Sequence, residues 1–600
     1  MRKFVSPIIF VISTVYGSYQ ARNYDIRQIP PSASIEDAKE KISLKREMLL
    51  EKWSRKPMDK FPFKHTFESK ELDSISAAYA RIVTGREIEK VNEYLLDKRF
   101  EPALVGTRIK LFGGICKRYG DYDFVLQELI RIAYNGKGVI SNKAYDRLLN
   151  ELLSQKGNKH YTHFAMGVCG RKIKDTENHI LMTETARYLT NQLMFDETGE
   201  EIYDNEKNGF NDWLIDHLEY FFKHGFSEIN SKPYAGYTIQ TLLNLYDYAR
   251  DERIKHSAQV LLDYLSMKYA MESSNGRRYP TFRRQYRRYL DERLDEADYM
   301  SAIMMIWAGQ YDYLNHSNVD LSQSALPYGD RIAMNASLSA YRPHPIVYDH
   351  LFNNEVESLQ FYDFDHKGMQ VVYKNPKYVI SGGGVHRRLF PPFSMLNDVL
   401  AAPTMIIPQK KGRLLSEMIY FLGYNKKNKR SNLCVNKNFM CGFNLHIPNE
   451  FAKCKVDTDN DNEWSFYNFQ KPECSESPYA GLYMAVYKRD IKHIVHKKTK
   501  GKNFGLVEVS DGSMSFENFK NGILENNPTR FNRGNVTYTM SNGEKLNVNL
   551  DPKKGQYNFD YIENRVKDYD RVRGTFHQMN DESMTLIAPN GEEEIIYYRY

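Results

Sequence analysis

The chain has 600 residues, 42% of them hydrophobic and 26% charged, so it is long enough to bury two or more full cores and is not disordered by composition. A formal net charge of +7 is small for that length and calls for no nucleic-acid partner. The 44 tyrosines, against four tryptophans, give many side chains that pack along one edge and hydrogen-bond along the other, a surface that suits sugars and ordinary cores alike.

At the N-terminus, Met1, Arg2 and Lys3 precede the apolar run FVSPIIFVISTVYG and then a polar segment. This is the order of a secretory signal peptide over residues 1–17, with cleavage after Gly17 and Val15 two positions earlier. The run is too short to span a bilayer, and no later stretch is long and apolar enough. The mature chain is therefore expected to be secreted or periplasmic, without stable membrane insertion, in a compartment that permits disulfides. Four of the six cysteines, Cys434, Cys441, Cys454 and Cys474, lie close enough in sequence to pair among themselves, whereas Cys116 and Cys169 read as buried thiols.

From residue 35 to about 325 the apolar spacing is helical, clearest in ELDSISAAYARIVTGREIEKVNEYLLD, DYDFVLQELIRIAYN, ILMTETARYLTNQLM, FNDWLIDHLEYFFKHG and YTIQTLLNLYDYA. No fixed repeat period is visible, so a toroid or incomplete barrel of helical hairpins is expected rather than a regular solenoid. The proline-marked passage LPYGDRIAMNASLSAYRPHP reads as the boundary. Beyond it, over 335–600, short alternating runs such as MQVVYKNPKYVISGGG and NVTYTMSNGEKLNVNL, with SNGE and PNGE as hairpin-turn signals, predict a large antiparallel β-sandwich. The expected fold class is multidomain, α then β: an (α/α) toroid over 35–325 followed by the sandwich.

Chemistry concentrates in FSEINSKPYAGYTIQTLLNLYDYA, residues 226–249, where Tyr234 and Tyr237 stand at the mouth of a helix just after Glu228. The segment KPYAGYTIQTLLNL resembles the catalytic segment of the polysaccharide lyases that include chondroitin and hyaluronate lyases and heparinase-like enzymes, in which a Pro-Tyr-x-Gly-x-Tyr stretch precedes a helix. With one residue fewer between glycine and tyrosine, the resemblance matches Gly236 to the glycine and Tyr237 to the catalytic tyrosine. It further implies Asn178, in DTENHILMTETARYL, for the family's asparagine, and one of the seven arginines of RRYPTFRRQYRRYLDER, residues 277–293, for its arginine. Glu228 stands where the family has a histidine, and His179, adjacent to Asn178, is the alternative base.

Elimination from a uronate needs its carboxylate neutralised, the C5 proton removed and the leaving O4 protonated. An amide and an arginine can hold the acid group and stabilise the enolate-like intermediate, while a tyrosine beside cationic groups can take one proton and return one. The implied catalytic set is Asn178, His179, Glu228 and Tyr237. Tyr234, Arg283, Arg284 and Arg287 would bind substrate, as would His386 and Arg387, which follow ISGGGV and would reach the sugar from the sandwich side.

Each residue also has a plain structural reading: Asn178 as a helix N-cap, the tyrosines as core aromatics, and the arginines as a solvated face paired with Asp291, Glu292, Asp295 and Glu296. DTDNDNE places Asp457, Asp459 and Asp461 like the start of a calcium loop, but without the following glycine and with Asn468 at the twelfth position, so no cofactor is expected. The reading that follows is a secreted lyase acting on an acidic, uronate-containing polysaccharide. The rivals are a glycoside hydrolase on the same kind of toroid, pairing Glu228 with Glu177 or Asp298, and a non-catalytic glycan-binding protein.

Overall fold

The computed structural model describes residues 34–599 except 63–68, 113–114, 159–165, 169–170, 174, 227–229, 232–233, 275–277, 279, 281–298, 310–325, 353–354, 364–367, 386–403, 409–414, 422–433, 460–462, 491–502, 529, 532–534 and 550–571. Helices fill the first half wherever apolar residues recur at helical spacing. Ser34 caps α1 (Ile35–Ser54) by accepting from the Asp37 backbone N–H at 3.2 Å. Then come α2 (Ser69–Thr84) and α3 (Ile88–Leu96), the strands β1 (Thr107–Phe112) and β2 (Ile115–Gly120), α4 (Asp123–Gly136) and α5 (Asn142–Arg147), and β3 (Met166–Val168) and β4 (Arg171–Ile173). The series continues through α6 (Glu177–Thr198), α7 (Phe210–His224), α8 (Tyr234–Tyr248), α9 (Glu252–Glu272), α10 (Tyr299–Trp307), α11 (Leu326–Leu338) and α12 (Pro345–Phe352). Helices α2, α4, α6 and α8 pack each on the next, α11 touches both α8 and α1, and α1 returns to α2, so the contacts run in a circuit.

Two features differ from the sequence expectation. A four-stranded sheet, in the order β2-β1-β3-β4, interrupts the helical half. Part of its signal was in the chain: Arg108-Ile109-Lys110-Leu111 in TRIKLF alternates at period two ahead of a Gly-Gly pair, and Phe112 pairs with Ile115 across it. The passage read as a boundary is also mostly helix. Pro327 is the second residue of α11, in the first turn, where its missing N–H costs nothing, so the helical half runs on to Phe352.

The second half is antiparallel sheet. Its strands are β5 (Ser358–Asp363), β6 (Gly368–Lys374), β7 (Tyr378–Val385), β8 (Thr404–Pro408), β9 (Tyr420–Phe421), β10 (Val435–Asn436), β11 (Phe439–Phe443), β12 (Leu445–His446), β13 (Lys455–Asp459), β14 (Trp464–Asn468), β15 (Tyr483–Asp490) and β16 (Asn503–Ser510). After the helix α13 (Phe516–Asn526) come β17 (Asn535–Thr539), β18 (Lys545–Asn549), β19 (Val572–Gly574), β20 (His577–Met579), β21 (Ser583–Ile587) and β22 (Glu593–Tyr597). A ten-stranded sheet, β12-β9-β8-β7-β6-β5-β19-β20-β21-β22, and a six-stranded one, β10-β11-β16-β15-β14-β13, share one core that includes Ile406, Trp464 and Leu506. Both Asn-Gly signals are hairpin turns: Gly543 (φ 85°) lies between β17 and β18, and Gly591 (φ 88°) between β21 and β22, at backbone angles that favour glycine.

The far end of the ten-stranded sheet belongs to the helical core instead. Val572, Met584 and Leu586 join that core, the Tyr598 ring meets Phe222 of α7 with centroids 4.8 Å apart, and the Tyr598 hydroxyl donates to the Ile215 carbonyl at 3.2 Å. The cysteine quartet pairs within itself, as Cys434–Cys441 and Cys454–Cys474, with Cα separations of 5.2 and 5.8 Å. Asp457 and Asp459 fall on β13, at the edge of its sheet, and Lys520 lies 2.6 Å from the Asp457 carboxylate. Asp457 is therefore held in a strand-edge ion pair, and Asp461 lies outside the described residues.

Candidate functional site

Tyr234 opens α8 and Tyr237 follows one turn later, which puts both rings on the side facing Phe124 of α4. The ring centroids lie 6.3 Å (Tyr234) and 4.6 Å (Tyr237) from Phe124, and the two tyrosines are 6% and 7% exposed. Gly236 sits between them because α8 comes very close to α10 and α11 at this point. A Cβ there would lie 2.4 Å from the Tyr299 Cβ and 3.2 Å from Ile332. Gly236→Ala should therefore push α8 off its neighbours and cost about 1–3 kcal/mol, read as a lowered midpoint in thermal unfolding; an unchanged midpoint would refute the close-approach role.

The same Phe124 ring meets His179, at 5.4 Å and edge-on, so residues far apart in sequence share one aromatic hub. Asn178 and His179 are the second and third residues of α6, buried at 1% and 2% exposure. The helix cap is Thr176, not Asn178, and the Thr176 hydroxyl donates to Asn178 Oδ1 at 2.5 Å, which makes Nδ2 the donor end of that amide. His179 Nδ1 donates to Asp123 Oδ2 at 2.6 Å, Nε2 lies 3.1 Å from the Thr107 hydroxyl, and Asp121 is 4.0 Å from Nε2. Asp123, the first residue of α4, also accepts from the Gly106 N–H at 2.8 Å, while Asp175 accepts from the Thr107 N–H at 3.1 Å. The starts of β1, α4 and α6 are thus tied together by carboxylates and one imidazole, in the field of two helix N-termini.

Burial alone would discharge this imidazole, but the charge of Asp123 and its hydrogen bond, with Asp175 and Asp121 nearby, override it and raise the His179 pKa to about 9. His179 is therefore a cation at neutral pH, which fits a clamp better than a base. A histidine whose pKa is raised on folding contributes stability that is fully present below its ordinary value near 6.5 and is lost as pH rises through about 9. Chemical denaturation should show stability falling across that window by an amount on the order of 3 kcal/mol, and His179→Gln should flatten that slope. An unchanged slope in the variant would refute the assignment.

On the other side of Tyr237 is a group the sequence reading missed. Arg331 of α11 donates from Nη2 to the Tyr237 hydroxyl at 3.0 Å and from Nη1 to Glu128 of α4 at 2.6 Å, and both charged partners are fully buried. The same Glu128 oxygen accepts from Gln240 at 2.9 Å and from Asn335 at 2.8 Å. Thr241 and Asn244 bond Gln127 at 3.0 and 3.2 Å, extending a polar spine between α4 and α8. Spacing gave no signal of this burial: in DFVLQELIRIA, Gln127, Glu128 and Arg131 fall on one side of an amphipathic helix, as a solvent-facing stripe would, yet the structure buries all three.

Glu228, Arg283, Arg284, Arg287, His386, Arg387 and Asp298 lie outside the described residues. Of the other candidates, His179, Tyr234 and Tyr237 come together around Phe124, and Asn178 precedes His179 at the start of α6. No family model matches this chain, and no curated protein does. Among the described residues, no group of three or more His, Cys, Asp or Glu side chains is disposed to hold a metal ion, and no helix is long and apolar enough to cross a membrane.

Proposed function

We propose that the protein is an exported polysaccharide lyase that cleaves an acidic, uronate-containing polysaccharide by β-elimination. The observation that carries this reading is the Arg331 guanidinium donating to the hydroxyl of Tyr237, the residue matched to the catalytic tyrosine by the KPYAGYT resemblance. A guanidinium aimed at a phenolic oxygen stabilises that oxygen when it gives up its proton. Tyr237 then removes the C5 proton of the uronate. As the C4–O4 bond breaks, the electron pair leaves with O4, a C4–C5 double bond forms, and Tyr237 returns the proton to O4.

Asn178, with its donor end fixed by Thr176, and an arginine of the 277–293 stretch hold the uronate carboxylate and its enolate-like form. His179, already a cation, acts as the clamp that orients the start of α6 and therefore Asn178. The circuit of helix contacts supports the toroid reading of the first half. The disulfides Cys434–Cys441 and Cys454–Cys474 support an oxidising compartment, in keeping with a signal peptide over residues 1–17.

The test is incubation of the mature protein with hyaluronan, chondroitin, heparan, alginate, pectin and glucuronate-bearing gums, following the ultraviolet absorbance of the unsaturated uronate that only elimination creates. A rise on any of them supports the reading. New reducing ends without absorbance would replace it with hydrolysis, and binding without either product would replace it with a glycan-binding role.

A further inference from the structure

Away from Tyr237, a second buried polar cluster joins three separate stretches of chain. Glu272, the last residue of α9, is fully buried; its Oε2 accepts from Lys268 one turn back and from the Gln370 amide of β6 at 2.9 Å, and its Oε1 accepts from Arg278. The Lys268 ammonium also donates to Asn230 Oδ1 and to Gln370 Oε1, each at 3.0 Å. Asn230 Nδ2 donates to Gln370 Oε1 at 3.0 Å, and Arg278 reaches Asn230 Oδ1 at 3.5 Å. Asn230 holds a left-handed backbone, φ 49°, and all five side chains are at most 8% exposed. The Lys268 and Arg278 cations lie over the rings of Tyr362 and Tyr269, at 4.9 and 5.1 Å.

The three stretches are the ones that carry the proposed chemistry. Asn230 stands four residues before Tyr234, Arg278 lies in the arginine-rich 277–293 stretch, and Gln370 belongs to the sheet that follows the helical half. We infer that Glu272 and Gln370 are positioning residues, which set Asn230, ahead of α8, and Arg278 against the sheet so that base and carboxylate-binding groups face the same sugar. This rests on the lyase reading for its consequence, though not for its geometry. Without Gln370, the cluster loses its bonds to β6 while Lys268, Glu272 and Arg278 keep theirs to one another. A cluster that served only to hold the two halves together would lower stability without separating turnover from binding.

The experiment uses the full chain carrying Gln370→Met, which keeps the volume and removes all three hydrogen bonds of the amide, and Asn230→Gly, which tolerates the left-handed backbone and removes the amide. Two readouts are taken at a temperature where circular dichroism shows both variants folded. Backbone hydrogen exchange should quicken together in peptides containing Asn230 and in peptides containing Arg278. On the substrate that the wild type cleaves, kcat should fall by about 10-fold or more while KM moves by less than about 3-fold, the signature of misplaced reacting groups. Unchanged exchange in either peptide set overturns the proposal whatever the activity, and quickened exchange with an undiminished kcat overturns the positioning role. If the wild type cleaves nothing on the panel, it is the lyase reading that fails, and the exchange measurement alone decides whether the three stretches are coupled.

Discussion

Tyr237→Phe is expected to keep the fold and to lose elimination activity by about 10²–10⁴-fold, the usual contribution of a positioned acid–base group. The phenylalanine ring retains the edge contacts with Phe124 at 4.6 Å and Tyr299 at 5.9 Å, so packing is unchanged. What disappears is the hydroxyl that takes the Arg331 hydrogen bond, at a stability cost of about 1.5–3 kcal/mol for a bond to a charged group. Steady-state kinetics beside thermal unfolding separates the two effects. Full activity in a folded Tyr237→Phe protein would mean that another residue is the base. Asn178→Ala should lose activity alongside it, through weakened stabilisation of the enolate-like intermediate.

The largest stability effect is expected at Glu128 and Arg331. Either Glu128→Gln or Arg331→Met leaves a buried charge without its counter-charge, and each should cost about 3–5 kcal/mol in urea denaturation at neutral pH. The paired variant Glu128→Leu with Arg331→Met removes both charges at once and should recover much of that loss, so the effects will be far from additive. Additive single-site losses, or losses below about 1 kcal/mol, would show that the pair is not coupled in the way its 2.6 Å separation implies. Because Arg331 also contacts Tyr237, the paired variant should regain stability without regaining activity.

Patterns that depend on local chemistry were legible in the chain. The tyrosines at the mouth of α8, the Asn-Gly turns, the cysteine quartet and the passage from helix to sheet follow from spacing and turn residues alone. Arg331 was hidden because Pro327 and Gly329 read as a break, and only their position in the first turn of α11 lets the helix form around them. The role of His179 could not be read either, since its charge comes from Asp123, 56 residues away in the chain. The Glu272 cluster was invisible for the same reason: Gln370 and Lys268 are 102 residues apart, and nothing near either one in sequence announces the other.

The docking of the last strands onto α7 bears on how the protein is made. Tyr598 and Ile215 are separated by 383 residues, yet the first contributes to the core that surrounds the second. During synthesis the helical half therefore waits, with part of its apolar surface uncovered, until residues 572–599 have left the ribosome. Order of synthesis and order of folding are thus uncoupled, and a chain cut short before Val572 would leave the N-terminal half unfinished as well as the C-terminal one.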